Sequence, residues 1–145
     1  LYSEQLLFWL RTQTDLKVCH FRDIWGGVPI LLNPYKKYKT IFEVNALPSI
    51  ELSYRYTVSE KILRRIQQLE QFCLENADVI IVPSQIIKNF LIQKGVNSSK
   101  IQIITNGAEI PEKSSRPEEA PEKYVIYFGA LQSWQGVDTL LRAFR

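Results

Sequence analysis

The side chains best placed to do chemistry fall in one short stretch: Glu43, Asn45, Ser49 and Glu51. They end and follow the run Thr40-Ile41-Phe42-Glu43-Val44, whose β-branched and aromatic residues read as a strand. A carboxylate near the carboxyl end of a strand, followed by an amide, a hydroxyl and a second carboxylate, makes a segment dense in groups that could hold a ligand. The same residues equally fit a strand end and an Asx- or Ser-stabilised turn ahead of a helix. Arg22-Asp23 closes a second short strand, Val18-Cys19-His20-Phe21. Ligands of open α/β sheets bind off the carboxyl ends of strands, which makes Arg22 a candidate anion contact.

Other chemistries find no support. His20 is the only histidine, and its neighbour Cys19 must point to the opposite face of a strand, so the two form no thiolate–imidazole dyad. No nucleophile motif accompanies His20 to suggest a catalytic triad. One histidine and two separated cysteines, Cys19 and Cys73, give no zinc spacing, and no Asp-x-Asp pair is present. No metal is therefore expected. Gly26-Gly27 reads as a turn or a close packing contact, because no G-x-G-x-x-G or P-loop pattern surrounds it. Net charge is +3 over 145 residues with the basic residues dispersed, which argues against a nucleic-acid partner. No apolar run approaches the ~20 residues of a membrane span, and no signal peptide is visible. Both cysteines read as reduced core thiols, and a cytoplasmic location is expected.

The elements that would position these residues follow from periodicity. Glu4 to Arg11 reads as a helix with Leu6, Leu7, Leu10 and the aromatic pair Phe8-Trp9 inward. Thr57-Val58-Ser59-Glu60 matches a capping box opening a long helix, with Ile62, Ile66, Leu69 and Cys73 on its core face and Arg64-Arg65 on a solvated one. Val79-Ile80-Ile81-Val82 is a short β-branched run, expected as a strand covered on both faces and stopped by Pro83. Ser84 should cap the next helix and Lys94-Gly95 end it. Lys100 to Thr105 returns as a strand, and Asn106-Gly107 makes a turn that tolerates positive φ. Strand, crossover helix and parallel strand define an α/β fold, a Rossmann-like parallel sheet flanked by helices.

Residues 110–123 are rich in proline and charge and read as an extended linker. Tyr124-Val125-Ile126-Tyr127-Phe128 then resumes as a buried strand, followed by a loop between Gly129 and Gly136 and a helix from Val137. Glycines flanking the loop would let backbone amides approach an anion, or simply form a βα turn. The expected division is 1–109, 110–123 and 124–145. The chain has no methionine and closes within an apolar helical pattern, so it is expected to be a segment of a longer protein.

Ala77-Asp78, the strand after it, Pro83-Ser84, Gly95, Lys100-Ile101, Ile104-Thr105-Asn106-Gly107 and the run from Tyr124 to Phe144 together resemble a group 1 glycosyltransferase of the GT-B fold. The resemblance implies the later part of an N-terminal, acceptor-side domain, then the first strand and helix of a C-terminal, donor-binding domain. It implies transfer of a sugar, as by a hexosyltransferase, from a nucleotide-sugar donor to an acceptor. Configuration would be retained, with no metal or other cofactor. Polysaccharide biosynthesis would be a natural setting, with a glycan, lipid or small molecule as acceptor and peripheral membrane contact through other parts of the whole protein.

On that resemblance Glu43 is the expected catalytic residue. Arg22, Asn45, Ser49, Glu51, Asn106 and Gly107 would bind substrate, and Gly129, Gln135 and Gly136 would shape the donor loop. His20 falls where many members carry a histidine after a strand. Three departures stand out. Glu43 replaces a histidine common at the end of its strand. Ala130 and Gln135 stand where an arginine and a lysine usually meet the donor diphosphate. The family's paired glutamates would fall after Arg145, so the segment alone is expected to be inactive. The competing expectation is a non-catalytic α/β ligand-binding or partner module derived from the same fold.

Overall fold

The computed structural model describes residues 2–110, 117–132 and 135–144. The expected linker therefore lies partly outside the described residues, as do Ser133 and Trp134 of the glycine-flanked loop. The chain divides into two compact units, 1–106 and 107–145.

In the first unit α1 (Tyr2–Thr12) precedes β1 (Val18–Phe21), α2 (Ile24–Leu32), β2 (Lys39–Glu43), α3 (Pro48–Arg55), α4 (Glu60–Asn76), β3 (Val79–Val82), α5 (Gln85–Gln93) and β4 (Ile101–Ile103). The four strands form one parallel sheet in the order β1-β2-β3-β4. It is the expected α/β, Rossmann-like parallel sheet with helical crossovers.

Register sorts the strand residues onto two unlike faces. Phe21 pairs with Phe42, Phe42 with Ile80, and Ile80 with Ile101. These share one face, sealed by helices, with Phe42 and Ile80 at most 1% exposed and the Phe21 and Phe42 rings stacked 4.8 Å apart. His20, Ile41, Glu43, Val79 and Ile81 occupy the other face, which is only partly covered. β3, expected to be covered on both sides, thus shows a buried and half-buried alternation. A period of two puts successive side chains on opposite faces, so one covered face seals every second residue.

Gly27 explains why a glycine pair sits inside α2. A Cβ there would lie 2.4 Å from the Phe21 ring and 3.1 Å from Cys73 Sγ, so the helix approaches the sheet and α4 only without a side chain. Gly27 is thus a close packing contact, and the pair lies inside a helix rather than in a turn. Both cysteines are free, and burial pushes the Cys73 thiol up to about 12, leaving it a core side chain rather than a nucleophile.

Helix boundaries follow local chemistry with one shift. α5 is capped by Ser84, whose Oγ accepts from the Ile87 N–H. It ends in a Schellman arrangement: Val96 N–H donates to Leu91 O, Gly95 N–H to Ile92 O, and Gly95 takes φ 87°. At α4 the expected capping box does not form. Ser59, not Thr57, is the N-cap, and it makes no side-chain capping bond. The buried stripe of α4 runs through Ile66, Glu70, Cys73 and Leu74, whereas Ile62 is exposed. The i, i+4, i+7, i+8 spacing puts that stripe on one helix face.

Asn106 and Gly107 are exposed, and neither takes positive φ. In the second unit Gly136, at φ 68°, precedes α6 (Val137–Ala143). The run Tyr124–Phe128, expected as a buried strand, joins no ladder, and Val125, Ile126 and Phe128 are exposed. An apolar run becomes a strand only beside another, and no described residue of this unit pairs with it.

Candidate functional site

The carboxyl ends of β1 and β2 bring together four polar side chains. Glu43 is the last residue of β2. Its Oε2 lies 2.9 Å from His20 Nε2, and its Oε1 3.2 Å from Arg22 Nε. Asn45 Nδ2 donates to Oε1 at 2.8 Å. The backbone dictates this meeting. His20 pairs with Ile41 in the ladder, so His20 and Glu43 stand on the same, open face of adjacent strands. Arg22 is one residue beyond β1, where the chain leaves the sheet. Asp23, its neighbour, is not part of the group: it caps α2, with Oδ1 accepting from Gly26 N–H at 2.8 Å.

The amide of Asn45 holds the Glu43 carboxyl below the usual carboxylate range; burial works the other way, and Arg22 and His20 add to the lowering. Glu43 is therefore an anion at neutral pH. A carboxylate made less basic in this way accepts a hydrogen bond from a ligand hydroxyl more readily than it removes the proton. Arg22 commits only its Nε edge to Glu43, and its side chain is 68% exposed. The outer edge of the guanidinium is free for a bidentate contact with an anionic group.

The other residues singled out from sequence divide sharply. Ser49 is buried and structural: its N–H and Oγ both donate to the Glu70 carboxylate, at 2.5 and 2.6 Å. Helix α3 begins at Pro48 behind Leu47, which supplies no side-chain cap. The carboxylate of Glu70, reaching across from α4, satisfies that helix start instead. Ser49 is thus closed to a ligand. Glu51 is exposed in the first turn of α3, where its charge suits the helix dipole, and it shares no bond with Glu43 among the described residues.

Asn106 ends the first unit and is exposed, and it shares no hydrogen bond with the Glu43 group among the described residues. In the second unit Gly129 has φ 157°, and Tyr127 Oη donates to Ala130 O at 2.7 Å, drawing this corner together. Gln135 is exposed, and Gly136 supplies the left-handed turn into α6. No group of three metal-ligating side chains occurs among the described residues, and no described helix is long and apolar enough to cross a membrane.

Residue types alone gave His20 no partner, although its position matches a histidine of the resembled family. The available signal was parity: two residues of one face on adjacent parallel strands meet if the register is right. A 730 Å³ concavity elsewhere, along the solvated side of α4 at Arg64 and Arg65, contains none of these residues, and Arg64 there is paired with Glu60.

A parallel α/β sheet with helical crossovers and polar side chains gathered off its strand ends has the architecture of the nucleotide-binding folds. Comparison with known proteins narrows this class. The sequence profile of Glycosyltransferase Family 4 matches residues 1–110, and the chain belongs to that family. It is also similar to an uncharacterized glycosyltransferase of Methanocaldococcus jannaschii, 31% identical over 77 residues, which cover 48% of this chain and 20% of the relative. The chain thus spans about one fifth of that relative's length.

Proposed function

We propose that the whole protein transfers a sugar, a hexose, from a nucleotide-sugar donor to an acceptor with retention of configuration. The Glu43 group forms the acceptor side of the site. Family membership supports the reaction class. The observation that carries the site is the convergence of His20, Arg22 and Asn45 on one carboxylate at adjacent strand ends. Glu43 orients an acceptor hydroxyl, Arg22 meets an anionic group, and Glu51, Asn106 and Gly107 are further substrate contacts of the whole protein. On the donor side Gly129 and Gly136 shape a loop through backbone geometry, with Gln135 as a neutral polar contact. Metal-free chemistry, an assembly role in polysaccharide biosynthesis and a cytoplasmic, membrane-peripheral setting complete the reading.

The test is nucleoside diphosphate release by the whole protein across UDP-, GDP- and ADP-sugars, with and without acceptors. Release with one donor is expected. In the whole protein Glu43→Gln should lower acceptor-dependent release at least tenfold while leaving the donor's slow hydrolysis in place. Unchanged transfer would remove Glu43 from the site. A second reading, a non-catalytic ligand-binding module, draws on Ala130 and Gln135, which leave the donor loop without the two cations expected there. Nucleotide binding by titration without turnover on any acceptor would favour it.

A further inference from the structure

A second cleft lies at the other end of the sheet. It is formed by the last turn of α1, the connection from α1 to β1 and the residues leading into β2, and it has a volume of about 480 Å³. Its floor is fixed: Leu10 and Tyr38 are buried, and the Tyr38 hydroxyl donates to Ile30 O at 3.0 Å. Asn33 locks the wall, donating from Nδ2 to the Tyr38 hydroxyl and accepting at Oδ1 from the Tyr35 N–H.

Two cations line this cleft, Arg11 and Lys37, and no carboxylate does. The Arg11 guanidinium stands over the Tyr35 ring, 5.5 Å from its centroid, which holds it at the mouth. The neighbouring lysines are consumed elsewhere: Lys36 and Lys39 pair with Asp78 at 3.2 and 3.0 Å. Lys37, between them, makes no ion pair among the described residues, and neither does Arg11. A cation in the last turn also suits the dipole of α1, but that accounts for Arg11 alone and not for Lys37 beside it. The Gln13 amide and the Thr14 hydroxyl add neutral donors to the same lining.

We propose that this cleft binds a soluble phosphate-bearing small molecule, with Arg11 and Lys37 on the phosphate. A preorganised guanidinium, a free ammonium and neutral donors in a concave site without acidic side chains are the donor set such an anion needs. The cleft lies at the amino ends of β1 and β2, whereas the Glu43 group lies at their carboxyl ends. The two sites are therefore separable, and this one stands whether or not the protein transfers sugar.

The experiment is titration of the full chain with inorganic pyrophosphate, followed through backbone amide chemical shifts. Saturating shifts are expected at Arg11, Gln13, Tyr35 and Lys37. Arg11→Gln and Lys37→Gln should each weaken binding roughly tenfold, the size of one charge-assisted hydrogen bond, with shifts elsewhere unchanged. Arg11→Lys keeps the charge and should retain most of the affinity. Wild-type affinity in both Gln variants would overturn the proposal. So would saturation confined to residues around Arg22, or binding to phosphatidylglycerol vesicles without any response to pyrophosphate. Lys37 is exposed and holds no buried partner, so Lys37→Gln decides the matter even if changes at Arg11 disturb α1.

Discussion

Two carboxylates stand at opposite ends of the same sheet, and each gathers a ring of donors. At the amino end Asp78 accepts from Thr40 N–H at 2.9 Å and from Thr40 Oγ1 at 2.7 Å, and pairs with Lys36 and Lys39. Burial would raise its pKa, but the Thr40 hydrogen bonds and the two lysines outweigh it and hold the carboxyl well below its ordinary range. At the carboxyl end Glu43 accepts, among the described residues, only from side chains, those of Asn45, Arg22 and His20.

The two are similarly accessible, 26% for Asp78 and 24% for Glu43, so exposure does not separate them. Their donors do. Asp78 is tied to a backbone amide and to Thr40, which is fully buried, and so clamps β2 to the start of β3. Glu43 is held by side chains that can swing, two of them about half-exposed or more. A backbone donor cannot leave without moving a strand, whereas an exposed side chain can exchange its partner for a ligand. The first arrangement belongs to the fold and the second to a site.

Substitutions at each carboxylate break or sharpen this contrast. Glu70, the fully buried carboxylate at the start of α3, should set the upper limit. Glu70→Ala leaves the Ser49 N–H and hydroxyl without partners and should cost about 3 kcal/mol in urea unfolding. Asp78→Ala should cost about 2 kcal/mol, because it leaves the buried Thr40 N–H and O–H donors without their acceptor. Its pH signature follows from the depressed pKa. The contribution of Asp78 is complete above the ordinary carboxylate pKa of about 4 and is lost as pH falls through the lower folded value. The gap between wild type and Asp78→Ala should therefore hold from pH 7 to about 5 and shrink in stronger acid.

Glu43→Gln should change unfolding by no more than about 0.5 kcal/mol, with its effect on the acceptor reaction instead. A loss as large as that of Asp78→Ala would make Glu43 a second clamp and end the contrast. The smallest effect belongs to His20→Gln. The amide can still donate to Glu43, so stability should be unchanged, and acceptor KM in the whole protein should rise a few-fold with kcat nearly constant.

Much of the fold could be read residue by residue. Val18–Phe21 and Val79–Val82 announced themselves as short β-branched or apolar runs, and both strands have those limits. Ser84 and Gly95 marked the ends of α5 because capping is local chemistry, settled within four or five residues. Tyr124–Phe128 has a comparable apolar texture yet joins no ladder, because texture carries propensity and pairing needs a partner strand. Thr57 and Ser59 both had capping chemistry, and only the path of the chain into α4 decided for Ser59.

The candidate site divides along the same line. Sequence determined that Glu43 lies near the carboxyl end of a strand and that Arg22 follows one, since strand ends are set by local runs and the residues that stop them. It determined also that Cys19 and His20 face apart, from the fixed period of a strand. Only the tertiary structure decided that His20 faces Glu43, because that depends on the register between two strands separated by a helix. Only packing turned Ser49 from an apparent ligand group into a buried partner of Glu70, twenty-one residues away. Short-range preferences are written in neighbouring residues, whereas the partner of a polar group is fixed by which surfaces the buried core forces together.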